Sequence, residues 1–166
     1  MKEKLFSLLD DSLGFDEKRA RFPGPEDPAR LDREIAESGG IDFQLLGIGF
    51  NGHIAFNEPE NPDEISAESF AELPTRVIEL EPLTVSTNAK LTAGGEHGAG
   101  PRKAVTMGMK QILDAKEILL LACFKEQSIP LRKMRQGFYS PALPASFLAK
   151  HKNATIVYTS DVINPD

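Results

Sequence analysis

Phe43-Gln44-Leu45-Leu46-Gly47-Ile48-Gly49-Phe50-Asn51-Gly52-His53-Ile54-Ala55-Phe56-Asn57-Glu58-Pro59 is the stretch that decides how this chain is read. An apolar run of strand character passes directly into a glycine-rich loop that holds a histidine and a carboxylate. In α/β proteins, the carboxyl end of a strand is where functional groups gather. His53 and Glu58 can meet there only if the chain between them turns back, and Asn57 and Pro59 are residue types that start such turns. A histidine steered by a nearby acid is a natural proton shuttle.

Gly47, Gly49 and Gly52 also satisfy G-x-G-x-x-G, the dinucleotide fingerprint. That fingerprint needs a sustained helix after its third glycine, and Asn57-Glu58-Pro59 would stop one within about two turns. Glu68 and Glu72 stand at a tolerable distance for a ribose-binding acid but at no clear strand end. No nicotinamide or flavin is therefore expected, and the three glycines read as positions where backbone amides approach a different ligand closely. His53 and Glu58 lack the H-E-x-x-H spacing, and His97 and His151 fall in unrelated segments, so no metal site is expected. His97 reads as a solvated loop residue and His151 as a complement to a helix C-terminus.

Working outward, Leu5, Leu8 and Leu9 predict a helix over the first dozen residues, and Arg19 to Pro28 is a connector. Asp27 and Pro28 predict the start of a second helix that carries Leu31 and Ile35 and stops at Gly39-Gly40. A strand over 41–46 follows. The segment from Asn61 to Thr75 is acidic and proline-punctuated, and 76–80 alternates as a short strand does. Thr92 to Pro101, rich in glycine, reads as a mobile lid. Val105, Met109, Ile112 and Leu113 predict an amphipathic helix leading into a buried strand over 118–123. Helices capped by Ser128 and opened by Pro144 precede a last strand at 154–159. The alternation implies a single α/β domain over 1–166, Rossmann-like, with a mostly parallel sheet and helices on both faces.

The chain has 166 residues, enough for one domain with a sizeable core, and its 25 acidic against 19 basic residues give a net charge of -6. That balance disfavours nucleic acid or an anionic membrane as partner, so an anionic ligand must be held locally. No stretch approaches the ~20 apolar residues that span a bilayer, and the start has no signal-peptide core, so the protein reads as soluble and cytoplasmic. The single cysteine, Cys123, excludes an internal disulfide and reads as a buried, inert thiol.

The string from Leu46 to Pro59 resembles the glucosamine-6-phosphate deaminase family, also called glucosamine-6-phosphate isomerases. The related 6-phosphogluconolactonases share its G-x-G and Gly-His elements but diverge at Ile54 to Pro59. Thr75-Arg76, Asn88-Ala89-Lys90, Ala104 to Gly108, Ile112 to Lys116 and Pro144 to Leu148 look like the family in matching order. The resemblance implies conversion of glucosamine 6-phosphate to fructose 6-phosphate and ammonia, in amino-sugar catabolism, without metal or organic cofactor. His53 would open the sugar ring, with Asn51 and Glu58 in the same constellation. Gly47, Gly49 and Gly52 would approach the substrate. Lys90 stands where family members often place a substrate-binding arginine, which keeps the charge and loses the bidentate fork. Gln127 stands where the phosphate-binding lysine is expected, with Lys125 nearby.

Family members also carry an upstream strand, a Gly/Ser/Thr phosphate loop and an acid that takes the C2 proton. Between Met1 and Leu13 no equivalent is visible, and Asp10-Asp11 reads as solvated, so the domain reads as N-terminally incomplete relative to the family. Two alternatives follow from these departures: a deaminase for galactosamine 6-phosphate, or a catalytically silent subunit that binds a sugar phosphate. A homo-oligomer is expected, because strands missing from the sheet would leave apolar surface exposed.

Overall fold

A computed structural model describes residues 3, 5–9, 12, 14–92 and 101–165. The ends of three strands organise the molecule. β1 (Phe43–Gly47), β4 (Glu117–Ala122) and β5 (Ala154–Tyr158) form a parallel sheet in the order β1-β4-β5, with Leu46 opposite Leu120 and Leu120 opposite Ile156. β2 (Arg76–Glu79) and β3 (Lys103–Thr106) pair antiparallel as a separate two-stranded sheet, with Val77 opposite Val105. The helices are α1 (Ala29–Glu37), α2 (Ala67–Ala71), α3 (Pro82–Thr92), α4 (Met109–Leu113) and α5 (Ser128–Arg135), with a 3₁₀ segment at Pro144–Lys150. Parallel strands flanked by helices bear out the Rossmann-like α/β reading.

The core lies on the sheet face that carries Leu46, Ile118, Leu120 and Ala122, where Ile54, Phe70, Met109, Ile112, Leu131 and Phe147 pack. Phe147 joins Phe70 and Tyr139 at ring separations of 5.3 and 4.6 Å, in the range where aromatic pairs attract. On the opposite face Phe43, Leu45, Leu121 and Val157 are exposed, although a parallel sheet normally buries both faces.

Several local expectations are met, and several are corrected. α1 ends at Gly39 and Gly40, both with positive φ, where the Gly40 N–H reaches back to the Ile35 carbonyl at 2.9 Å. Asp27 does not cap α1 through its side chain, which instead pairs with Arg33 at 2.5 Å. The expected first helix is, among the described residues, a 3₁₀ turn at Phe6–Leu8, with Leu5 and Leu8 exposed and the Phe6 ring 5.0 Å from that of Phe15. Val105 belongs to β3, not to a helix; Gly108 opens α4 because a Cβ there would overlap the Leu73–Pro74 backbone. Ser128 is the first residue of α5 rather than its cap, and its hydroxyl accepts the Asn164 N–H at 3.2 Å.

Cys123 is exposed, since it lies one residue beyond β4, where the chain leaves the sheet. His151 closes the 3₁₀ segment. One ring nitrogen, Nε2, lies 2.8 Å from the Ala115 carbonyl, and the other accepts the Asn153 N–H at 3.1 Å. Asp10, Asp11 and His97 lie outside the described residues, as does most of the expected lid. Among the described residues no helix is long and apolar enough to cross a membrane.

Candidate active site

β1 delivers the chain into a loop that folds back on itself. The Gly49 N–H donates to the His53 carbonyl at 2.9 Å and the Gly52 N–H to the Gly49 carbonyl at 3.0 Å. Gly52 has φ +90°, a region that favours glycine, and a Cβ there would also overlap the Leu143 side chain. The imidazole of His53 lies directly over Gly49, so a Cβ at that position would overlap the ring. Gly49→Ala is therefore expected to displace His53 without unfolding the chain, because the ring is the freer partner. Nitrogen NMR of the imidazole is the check: an unchanged ring environment in the variant contradicts the packing.

Three side chains converge. The Asn51 Nδ2 donates to Glu58 Oε2 at 2.7 Å, and the Asn51 Oδ1 accepts the His53 backbone N–H at 3.2 Å. A carboxylate only accepts and a backbone N–H only donates, so these two bonds fix the amide's orientation. His53 Nδ1 lies 2.8 Å from that same Oδ1 and must be the protonated nitrogen to bond it. The other nitrogen, Nε2, is left with its lone pair. Glu58 Oε2 lies 3.4 Å from His53 Nδ1, so an imidazolium formed at His53 has a carboxylate beside it. His53 is 15% and Glu58 7% exposed, which strengthens the attraction relative to water.

Two further groups, which sequence reasoning did not single out, complete the shell. Glu58 Oε1 accepts the Glu81 N–H at 3.3 Å, next to the first turn of α3, and the buried Thr84 hydroxyl lies 3.4 Å from His53 Nδ1. α3 went unread because its site-facing residues, Thr84, Thr87 and Asn88, are polar where an ordinary amphipathic helix shows its apolar stripe.

Burial alone raises the Glu58 pKa, but hydrogen bonds from His53, Thr84 and Asn51, with the His53 charge, bring it below the ordinary carboxylate value. A carboxyl whose folded pKa lies below its unfolded one adds stability above the unfolded value, near pH 4.5, and loses it as pH falls through the folded value. Chemical denaturation across pH 3–7 should thus show a decline on the acid side that shrinks in Glu58→Gln. An identical decline in that variant contradicts the assignment.

The cavity beside these groups has a volume of about 250 Å³; Gly47, Gly49, Asn51, His53, Thr87 and Asn88 are among the residues that line it. Gln127 also borders it, yet its amide joins strand ends. Oε1 accepts the Cys123 and Phe124 N–H groups, both at 2.8 Å, and Nε2 donates to the Ile48 carbonyl at 2.6 Å. Lys90 does not border this cavity. It lines a second one with Arg102 and Lys103 on another side of α3. Among the described residues no three His, Cys, Asp or Glu side chains gather as metal ligands would.

No protein-family model matches the chain. The glucosamine-6-phosphate deaminase of Pseudoalteromonas translucida (strain TAC 125) is 38% identical over 162 residues, which cover 93% of this chain and 57% of that protein. The enzyme of the same name from Rhodopirellula baltica is 37% identical over 163 residues, 95% of this chain and 59% of that protein. Among solved structures, a monomeric glucosamine-6-phosphate deaminase superposes with a TM-score of 0.70 at 35% identity, over 80% of this chain and 51% of that one. The 6-phosphogluconolactonase of Trypanosoma brucei, at 17% identity and a TM-score of 0.61, shares the fold. The chain spans a little under three fifths of the length of these two curated relatives.

Proposed function

Because this chain belongs to the glucosamine-6-phosphate deaminase family, we propose that it carries the ring-opening half of an enzyme site that converts glucosamine 6-phosphate to fructose 6-phosphate and ammonia. The observation that carries the reading is the His53–Asn51–Glu58 arrangement, which holds Nδ1 protonated and leaves Nε2 able to take a proton. Nε2 removes the proton of the anomeric hydroxyl and returns it to the ring oxygen; the bond from C1 to the ring oxygen breaks as the C1 carbonyl forms. Glu58 stabilises the imidazolium that exists between the two transfers. From that open-chain aldehyde, fructose 6-phosphate and ammonia follow once C2 loses its proton, C1 gains one, and water displaces ammonia from the C2 imine so formed; removal of the C2 proton requires a base other than these three groups.

The relatives' names favour glucosamine 6-phosphate over galactosamine 6-phosphate or a silent binding subunit. A homo-oligomer is part of the same reading, supported by the exposed apolar residues of the sheet, and a soluble enzyme of the cytoplasm is what the family implies.

Incubation with glucosamine 6-phosphate tests the steps separately. Accelerated exchange between the two anomers reports ring opening, deuterium entry at C2 reports enolisation, and ammonia reports the full reaction. Anomer exchange no faster than in buffer overturns the proposal. Exchange without ammonia restricts this chain to ring opening.

A further inference from the structure

Arg76 stands in β2, outside the cavity, and has no part in the scheme above. Its surroundings are unusual for a half-buried guanidinium. Its Nη1 donates to the Asn57 Oδ1 at 2.8 Å and, more weakly, to the Pro74 carbonyl at 3.4 Å. Burial lowers its pKa, with Glu60 the carboxylate that offsets this among the described residues. Desolvation of a half-buried charge is costly, and here the hydrogen bonds that offset it go to a neutral amide and a backbone carbonyl.

Asn57 is fully buried, and its whole side chain is engaged. The Nδ2 donates to the Met107 carbonyl at 2.9 Å and to the Ile54 carbonyl at 3.1 Å. The second bond closes the turn in which Ala55 takes a φ of 51°, unusual for a residue with a side chain. The neighbouring Phe56 N–H donates to Thr106 Oγ1 at 2.9 Å. Residues 54–57 are thus pinned to the β2–β3 pair, whereas His53 is positioned by the end of β1. The two partners of the proton relay are set by two different sheets, and Asn57 is where the second sheet acts on the residue immediately before Glu58.

We propose that Arg76 is a positioning residue for Glu58: by holding the Asn57 amide it fixes the turn that places the Glu58 carboxylate between Asn51 and the Glu81 N–H. Lysine cannot substitute, since a flexible ammonium does not reproduce a planar guanidinium donor. The proposal shares with the proposed reaction only the premise that Glu58 acts on His53. Its test uses the resting protein and is independent of turnover.

The test is carbon NMR titration of the Glu58 carboxyl, assigned with Glu58→Gln, in the unaltered chain and in Arg76→Lys, Arg76→Met and Ile118→Val. The last variant trims the core at the start of β4 and controls for general loss of stability. Arg76→Lys and Arg76→Met should both move the Glu58 midpoint upward, toward the ordinary carboxylate value, while Ile118→Val leaves it in place. A midpoint in Arg76→Lys equal to that of the unaltered chain overturns the proposal, because charge without geometry then suffices. An equal shift in Ile118→Val overturns it as well. Should Arg76→Met fail to fold, the comparison of Arg76→Lys with Ile118→Val decides alone.

Discussion

In His53→Gln, exchange between the anomers of glucosamine 6-phosphate slows by about 10²–10⁴-fold, the usual contribution of a positioned general acid–base group. Glutamine keeps a side chain of similar reach that can still donate to Asn51 Oδ1, yet it has no nitrogen that takes up and releases a proton near neutral pH. The fold should survive, because the backbone bonds of Gly49 and Gly52 that shape the loop do not involve the imidazole. A melting temperature within a few degrees of the unaltered chain, with the exchange rate near that of buffer, is the expected pair of readings. A fast variant removes His53 from the chemistry.

The second large effect concerns Gln127→Lys, which installs the residue type that the family resemblance places there. A lysine only donates, whereas Gln127 accepts two backbone N–H groups through Oε1. Leaving each of those donors unpaired costs about 1–3 kcal/mol, and a chain of this size loses ~2–4 °C of melting temperature per kcal/mol. The substitution is therefore expected to lower the melting temperature by several degrees, even if it adds affinity for inorganic phosphate. Equal stability in the variant, measured by thermal unfolding, would show that the Gln127 amide does not join the ends of β1 and β4.

What could be read from the sequence follows from how local each signal is. The strand, its glycine-rich exit and the His53–Glu58 pair are encoded within seventeen consecutive residues, so residue type and spacing were enough to place them. The helix stop at Gly39-Gly40 is equally legible, because positive φ is a property of single residues. Thr84 and the Glu81 N–H are not, since they reach His53 and Glu58 from the start of α3 and the residue before it, more than twenty residues on in the chain. β3 was misread as helix because Val105 keeps helical spacing with Met109 and Ile112; its pairing with Val77 is long-range information that periodicity does not carry. Gln127 was read from the family's pattern as a substrate contact, but its three hydrogen bonds run to backbone.

The account rests on the protonation of one ring. Nitrogen NMR of the neutral form of His53 should show its proton on Nδ1, and the Nε2 signal should respond when glucosamine 6-phosphate is added. A neutral ring protonated on Nε2 would mean that Asn51 does not orient it, and a proton relay through residue 53 as described could not operate.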